Sequence, residues 1–135
     1  MVEIALGLYR LLAAGLLGLA AKYAFGPVPA SPHRLALEQS GTPLTPTLRV
    51  LIRAIYRPMS AAFAAFAVLL IALALGPVAD GERWGSLAAT GVSFVLGIPT
   101  TFGTWTFERR TGIRAPYRLS AAMKGLSVVA MARSW

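Results

Sequence analysis

The side chains that carry most biological chemistry are scarce in this chain of 135 residues, which holds one histidine, five carboxylates and no cysteine. The lack of cysteine removes thiolate nucleophiles, thiolate metal sites and disulfides. The carboxylates are Glu3, Glu38, Asp80, Glu82 and Glu108, and each falls at the end of an apolar run or between two of them. None forms a metal-binding spacing. General acid–base chemistry and metal-assisted chemistry inside a membrane place Asp, Glu, His or Cys in or beside the spans. The expectation is therefore a protein that is not an enzyme, with no catalytic residue, no metal and no cofactor. His33 lies in a proline-rich connection beside Arg34, where an exposed side chain is the ordinary outcome; a haem- or pigment-ligating role is the remote alternative.

The basic residues are more informative. Thirteen Lys and Arg give a formal net charge of +8. A nucleic-acid-binding chain would show a basic stripe with interleaved aromatics, but here the basic residues flank long apolar runs, as in proteins oriented on an anionic leaflet. No nucleic-acid partner is expected. Arg49, Arg53 and Arg57 recur every four residues, which stacks three guanidinium groups on one helix face. They suit an anionic lipid headgroup on the cytoplasmic side or an acidic partner loop, or else form an interfacial collar that sets depth. Arg10 and Lys124 fall inside apolar runs, where an ionisable residue is a functional candidate. Arg10 sits near one end of its run and is expected to snorkel outward, toward Asp80 or Glu82. Lys124 has no such exit and no carboxylate within a span to pair with.

These residues need helices to position them. Hydrophobic residues make up 56% and charged residues 13% of the chain, against roughly 45–50% and about 25% in soluble domains. The fold class read from this is all-α: one membrane-embedded domain over 1–135, a bundle of four transmembrane helices or of three plus one interfacial helix. The expected spans are 4–25, 46–75, 84–107 and 117–135. The first resembles a secretory signal peptide, with Arg10 ahead of an apolar run, and is read as a retained signal-anchor-like helix. Gly26-Pro27 stops it. A short amphipathic helix is expected at 32–40, capped by Ser31, opened by Pro32 and ended by Gly41. Thr45-Pro46 opens the second span, and Pro58 is expected to kink it. The third has no ionisable residue between Trp84 and Phe107. Gly85, Ala89, Ser93, Gly97 and Thr101 give it an every-fourth ridge of small residues, on which another helix can approach closely. A basic hinge at 108–115 precedes the last segment, whose 19 residues are just long enough to span, with Lys124 at mid-length. Its alternatives, spanning or lying on the surface, stay open. The hydroxyls Thr90, Ser93, Thr100, Thr101, Thr104 and Thr106 are expected to bond their own backbone or a neighbouring helix, with a polar path as the alternative.

The first and third connections hold Lys22, Arg34, Arg49, Arg53, Arg57, Arg109, Arg110, Arg114 and Arg118, whereas the second holds Arg83 against Asp80 and Glu82. The positive-inside rule places the first and third connections in the cytoplasm and the N-terminus outside. The helix LRVLIRAIYRPMSAAFAAF, the loop GERWG and the hinge RRTGIRAPYR resemble those of small uncharacterised four-helix bacterial membrane proteins, similar in size and topology to DoxX-like proteins. That resemblance implies a multi-pass protein of the bacterial inner membrane and carries over no site. The expected function is a non-catalytic accessory or scaffolding subunit of a larger membrane complex, such as an energy-converting one, with other membrane subunits as partners. A transporter or channel for a small solute or lipid, acting as a homo-oligomer, is the alternative.

Overall fold

Each long apolar run is bounded by a residue that starts or stops a helix. The computed structural model describes residues 2–135, which form α1 (Val2–Phe25), α2 (Ser31–Gln39), α3 (Pro46–Leu73), α4 (Arg83–Thr111) and α5 (Tyr117–Arg133). α1 stops at Gly26, where a Cβ would stand 2.2 Å from the Lys22 carbonyl oxygen, so the chain can turn away only at glycine. α3 starts as its sequence signals: the Thr45 hydroxyl accepts from the Leu48 N–H at 3.1 Å and Pro46 takes the first helical position, where its missing N–H costs nothing.

Three boundaries differ from expectation. The cap position of α2 is Ala30 rather than Ser31, because the first helical bond runs from the Arg34 N–H to the Ala30 carbonyl. Its C-terminal end behaves as the glycine implies: Gly41 adopts φ +67°, and the Thr42 and Gly41 N–H groups close on the carbonyls of Leu37 and Glu38, a Schellman closure. α4 runs on through Thr111, and the hinge begins only at Gly112, whose φ of +69° lets its N–H reach the Glu108 carbonyl at 2.8 Å. Lastly, α3, with Pro58 inside it, ends at Leu73 rather than Leu75, and the backbone leaves helical geometry at Gly76, inside a π-helical turn at Ala74–Val78.

The long helices alternate in direction. Ser60 of α3 donates to the Ala20 carbonyl of α1 at 2.8 Å, and the Tyr23 ring stacks on Phe63 and meets Tyr56 edge-on. At the other end of α1, Tyr9 reaches Ser86 and Thr90 of α4. α5 returns antiparallel along α4: Ser120 meets Thr101, Lys124 meets Gly97, the Thr90 hydroxyl meets the Ser127 carbonyl, and Arg83 lies over the Trp135 ring. α1 is central, and the core takes Ala5, Tyr9, Leu12, Ala13, Leu16 and Ala20 from it, Phe63, Ala67 and Leu70 from α3, and Ala89 and Ala130 from α4 and α5. Small residues at these contacts let helices approach closely where lipid removes the hydrophobic drive between them.

The outside is apolar. Leu11, Phe25, Val68, Leu75, Val95 and Phe102 are all exposed, more apolar surface than a soluble monomer tolerates. Three helices are long and apolar enough to cross a membrane: Val2–Phe25, the 33-residue Pro46–Val78 and Arg83–Thr111. α5, with 17 residues, measures about 25 Å at 1.5 Å per residue, against the roughly 30 Å hydrocarbon layer.

The two ends of this bundle differ in charge. Lys22, Arg34, Arg49, Arg53, Arg57, Arg109, Arg110, Arg114 and Arg118 gather at the end where α1 finishes and α3 begins, facing only Glu38 and Glu108. The other end carries Arg10, Arg83 and Arg133 against Glu3, Asp80 and Glu82. We call these the basic and the neutral end.

Candidate functional site

Lys124 sits halfway along α5 because the segment before it, opened by Pro116, is anchored to α4 at Ser120. The Ser120 and Thr101 hydroxyls are 2.7 Å apart. One turn later the lysine stem crosses α4 at Gly97, where an added Cβ would meet Lys124 Cγ at 2.9 Å. Glycine is needed there so that the stem can pass. The ammonium then donates to the Gly97 carbonyl at 3.2 Å and to the Thr101 hydroxyl. Lysine carries three N–H donors, so two are used and one is left among the described residues. The charge is half-buried and hydrogen-bonded, no carboxylate faces it among the described residues, and charge-assisted bonds are stronger than neutral ones.

Lys124 separates two spaces. One is a partly open apolar cavity of ≈ 90 Å³ between α1, α3, α4 and α5, with Leu12, Leu16, Phe63, Phe66 and Leu96 among its walls and Ser93 and Gly97 on its α4 side. The other is an outward-facing groove of ≈ 390 Å³ between α4 and α5, lined by Ile98, Thr101, Phe102, Trp105, Tyr117, Ala121 and Lys124. At its rim the Arg109 guanidinium lies 5.0 Å from the Trp105 ring centre and that of Arg118 lies 5.3 Å from the Tyr117 ring centre.

The small-residue ridge is used inside the chain. Gly85 packs on the turn at Pro77 and Val78, Ala89 is fully buried, Ser93 faces the cavity, and Gly97 and Thr101 receive Lys124. The hydroxyls divide by role. Ser93, Thr100 and Thr104 donate to carbonyls four residues back in α4, Thr90 and Thr101 join other helices, and Thr106 Oγ1 is buried without a partner among the described residues.

Arg49, Arg53 and Arg57 are all exposed on the first part of α3, and Arg49 and Arg53 lie ahead of the level at which Tyr56 packs on Tyr23. Arg10 is exposed near the neutral end. No ion pair joins it to Asp80 or Glu82 among the described residues, where the ion pairs are Arg34–Glu38 and Arg118–Glu108. The Glu82 carboxylate instead accepts from the Trp84 indole.

Two features escape a reading of the sequence. Tyr9 looks like one more apolar residue of α1, yet its hydroxyl lies 3.2 Å from the Ser86 carbonyl and 3.1 Å from the Thr90 hydroxyl, which itself reaches the Ser127 carbonyl at 3.2 Å. This node ties α1, α4 and α5 together. The signal for it was a phenol in an otherwise apolar run, since a buried Tyr hydroxyl usually finds a partner. The second is His33, expected to be exposed. It is half-buried at the basic end, 5.6 Å from the Tyr56 ring and 6.1 Å from that of Phe107, with Nδ1 hydrogen-bonded to the Tyr56 hydroxyl. The Tyr56 hydroxyl accepts from the Ala30 N–H at 3.1 Å and has its own hydrogen to give to Nδ1, which favours the neutral imidazole.

Burial pushes the His33 pKa below its ordinary value, and the nearby Lys22 charge lowers it further. The unfolded chain therefore binds a proton more readily than the folded one. Stability is full above the ordinary imidazole value of about 6.5 and falls as pH drops from there toward the lower folded-state value. Melting of the detergent-solubilised protein is expected at lower temperature at pH 5 than at pH 8. His33→Gln should flatten that slope, because the chain has no other histidine. An unchanged slope in the variant would show that other groups cause it.

No family model, curated protein or solved structure matches this chain.

Proposed function

We propose that this chain is a four-span protein of the bacterial inner membrane that holds a lipid-like amphiphile against its helices and performs no catalysis. The observation that carries this reading is the position of Lys124, a hydrogen-bonded cation with a spare donor, set between an apolar cavity and an outward-facing groove. An amphiphile needs those two things together, a polar contact and an apolar surface. The contacts of α5 along α4, from Thr101 back to Arg83, support reading α5 as the fourth span rather than a surface helix, with tilt or local thinning making up its short length. The charge difference between the ends supports a cytoplasmic basic end and an outside N-terminus. The likeness to DoxX-like proteins rests on size and topology and implies no ligand.

The test is native mass spectrometry of protein extracted gently from the membrane. Wild-type protein is expected to carry acyl-chain lipid. Ser93→Phe, which fills the cavity from a residue bonded only to its own helix, should reduce that retention about tenfold, equivalent to about 1.4 kcal/mol. A lipid-free wild-type protein would sink the reading.

An accessory-subunit role is the second reading. The ridge on α4 no longer argues for it, being covered within the chain, but α1 presents another. Gly7, Ala14 and Gly18 are exposed along one face, with open space over both glycines, a pattern on which a helix of another subunit packs closely. In the same spectra a stoichiometric partner that Gly18→Leu releases would favour this reading; protein running alone would count against it.

A further inference from the structure

The groove on the outer side of the α4–α5 seam has the chemistry of a lipid headgroup site. Along α4, Thr101, Trp105 and Arg109 follow one another every four residues on one face. Along α5, Tyr117, Ala121 and Lys124 face them. The floor is the small side chain of Ala121, the walls are Phe102, Trp105 and Tyr117, with the first two rings 6.0 Å apart, and a cation stands at each end. The inner cation is Lys124, whose ammonium leans toward the basic end by bonding Thr101 and keeps one donor unused. The outer cation is Arg109, resting on Trp105. Trp and Tyr at this level mark the headgroup region, and ≈ 390 Å³ falls in the range of roughly 300–1,000 Å³ typical of small-molecule sites.

The geometry points to a binding site for an anionic glycerophospholipid drawn from the leaflet at the basic end. The phosphate lies between Arg109 and the Trp105–Tyr117 rim, the ester carbonyls accept from the spare Lys124 N–H, and an acyl chain runs past Ile98 and Phe102. The inference rests on the lipid-holding reading above and sharpens it by naming the ligand class. Charge complementarity selects this occupant. Nine basic residues against two acidic ones at this end concentrate anionic lipid there, and the one carboxylate near the rim, Glu108, is already engaged, accepting from the Ala115 N–H at 2.9 Å and facing Arg118 at 4.0 Å, while Arg109 has no carboxylate facing it among the described residues. The site is distinct from the Arg49, Arg53 and Arg57 stripe, which has cations but no groove.

The experiment delipidates the full chain in neutral detergent and titrates it, by native mass spectrometry, with phosphatidylglycerol, with phosphatidylcholine of the same acyl chains and with oleate. Phosphatidylglycerol is expected to bind about tenfold more tightly than phosphatidylcholine, the scale of one charge-assisted hydrogen bond. Arg109→Gln should remove most of that preference, Lys124→Met should weaken both phospholipids alike while Lys124→Arg retains them, and Ala121→Trp should block both. Helical circular dichroism confirms that each variant is folded. Equal binding of the two phospholipids, tighter binding of oleate, or a preference lost on changing Arg49 and Arg53 to Gln while Arg109→Gln leaves it intact would each overturn the inference. Loss of lipid in Ser93→Phe but not in Ala121→Trp would overturn the groove site and leave the broader reading standing, whereas no lipid binding by wild-type protein would remove both.

Discussion

Replacing Gly85 by leucine is expected to destabilise the protein by about 3 kcal/mol, the upper part of the range for overpacking a close contact. The first added atom already fails to fit: a Cβ at this position would stand 2.7 Å from Pro77 Cβ and 2.9 Å from both the Pro77 carbonyl carbon and the Val78 nitrogen. Two of those three atoms are backbone, and they belong to a turn closed on itself, with the Glu82 N–H on the Pro77 carbonyl at 2.8 Å and the Asp80 N–H on the Gly76 carbonyl at 3.0 Å. A flexible side chain can move aside; this turn can move only by breaking its own bonds or by pushing α4 away from the end of α3. Gly91→Leu and Gly103→Leu are the controls. Both lie in the same helix with open space over them, and their cost should stay near ±0.5 kcal/mol. Unfolding by SDS titration, followed by circular dichroism, measures all three. Equal stability of Gly85→Leu and Gly91→Leu would mean that the turn does not pack on α4 as described.

How much of this was legible in the sequence depends on the range of each interaction. The three helices able to cross a membrane were visible because a run of apolar residues is a local property, and their starts at Thr45-Pro46 and stops at Gly26 follow from backbone chemistry within a few residues. The end of α4 was misjudged because Arg109 and Arg110 look like a break, whereas cations in a last turn suit the helix dipole, and the helix stops where Gly112 permits a left-handed turn. His33 was misjudged for a different reason. Its neighbours Tyr56 and Phe107 are 23 and 74 positions away, and nothing near it in sequence tells that they converge on α2. The ridge on α4 was readable as a close-packing face, but which element would cover it was not: Pro77 covers it at Gly85 and Lys124 at Gly97.

The last segment shows how a local signal and a tertiary one can disagree. By composition α5 is a weak candidate for a membrane span, short and with a lysine at its middle. The bundle changes the cost of that lysine, because Gly97 opens a passage and supplies its carbonyl, and Thr101 supplies a hydroxyl. An intramembrane cation costs on the order of 2.5–3.5 kcal/mol on insertion scales, and two charge-assisted hydrogen bonds of about 1.5–3 kcal/mol each are of the size needed to offset it. The same contacts would make α5 tolerable in lipid if it spans, and they leave Lys124 facing the groove.

The ring of Tyr9 should matter far more than its hydroxyl. Tyr9→Ala is expected to cost about 3–5 kcal/mol, because the side chain is fully buried and lipid cannot refill the space between α1, α4 and α5. Tyr9→Phe keeps the ring and removes only the bonds to Ser86 and Thr90. Interhelical hydrogen bonds in membrane proteins average about 0.6 kcal/mol and reach about 1.7, and Thr90 retains the Ser127 carbonyl as its acceptor, so a loss of about 1 kcal/mol is the expected result. A double-mutant cycle with Thr90→Val isolates the Tyr9–Thr90 bond itself, since the two hydroxyls are 3.1 Å apart. SDS titration of the four proteins gives the coupling energy. If Tyr9→Phe costs as much as Tyr9→Ala, polar bonding rather than packing holds the three helices together at this level. If Tyr9→Ala costs less than about 1 kcal/mol, far below a buried aromatic truncation, the ring is not enclosed by α4 and α5, and α5 is not docked along the bundle.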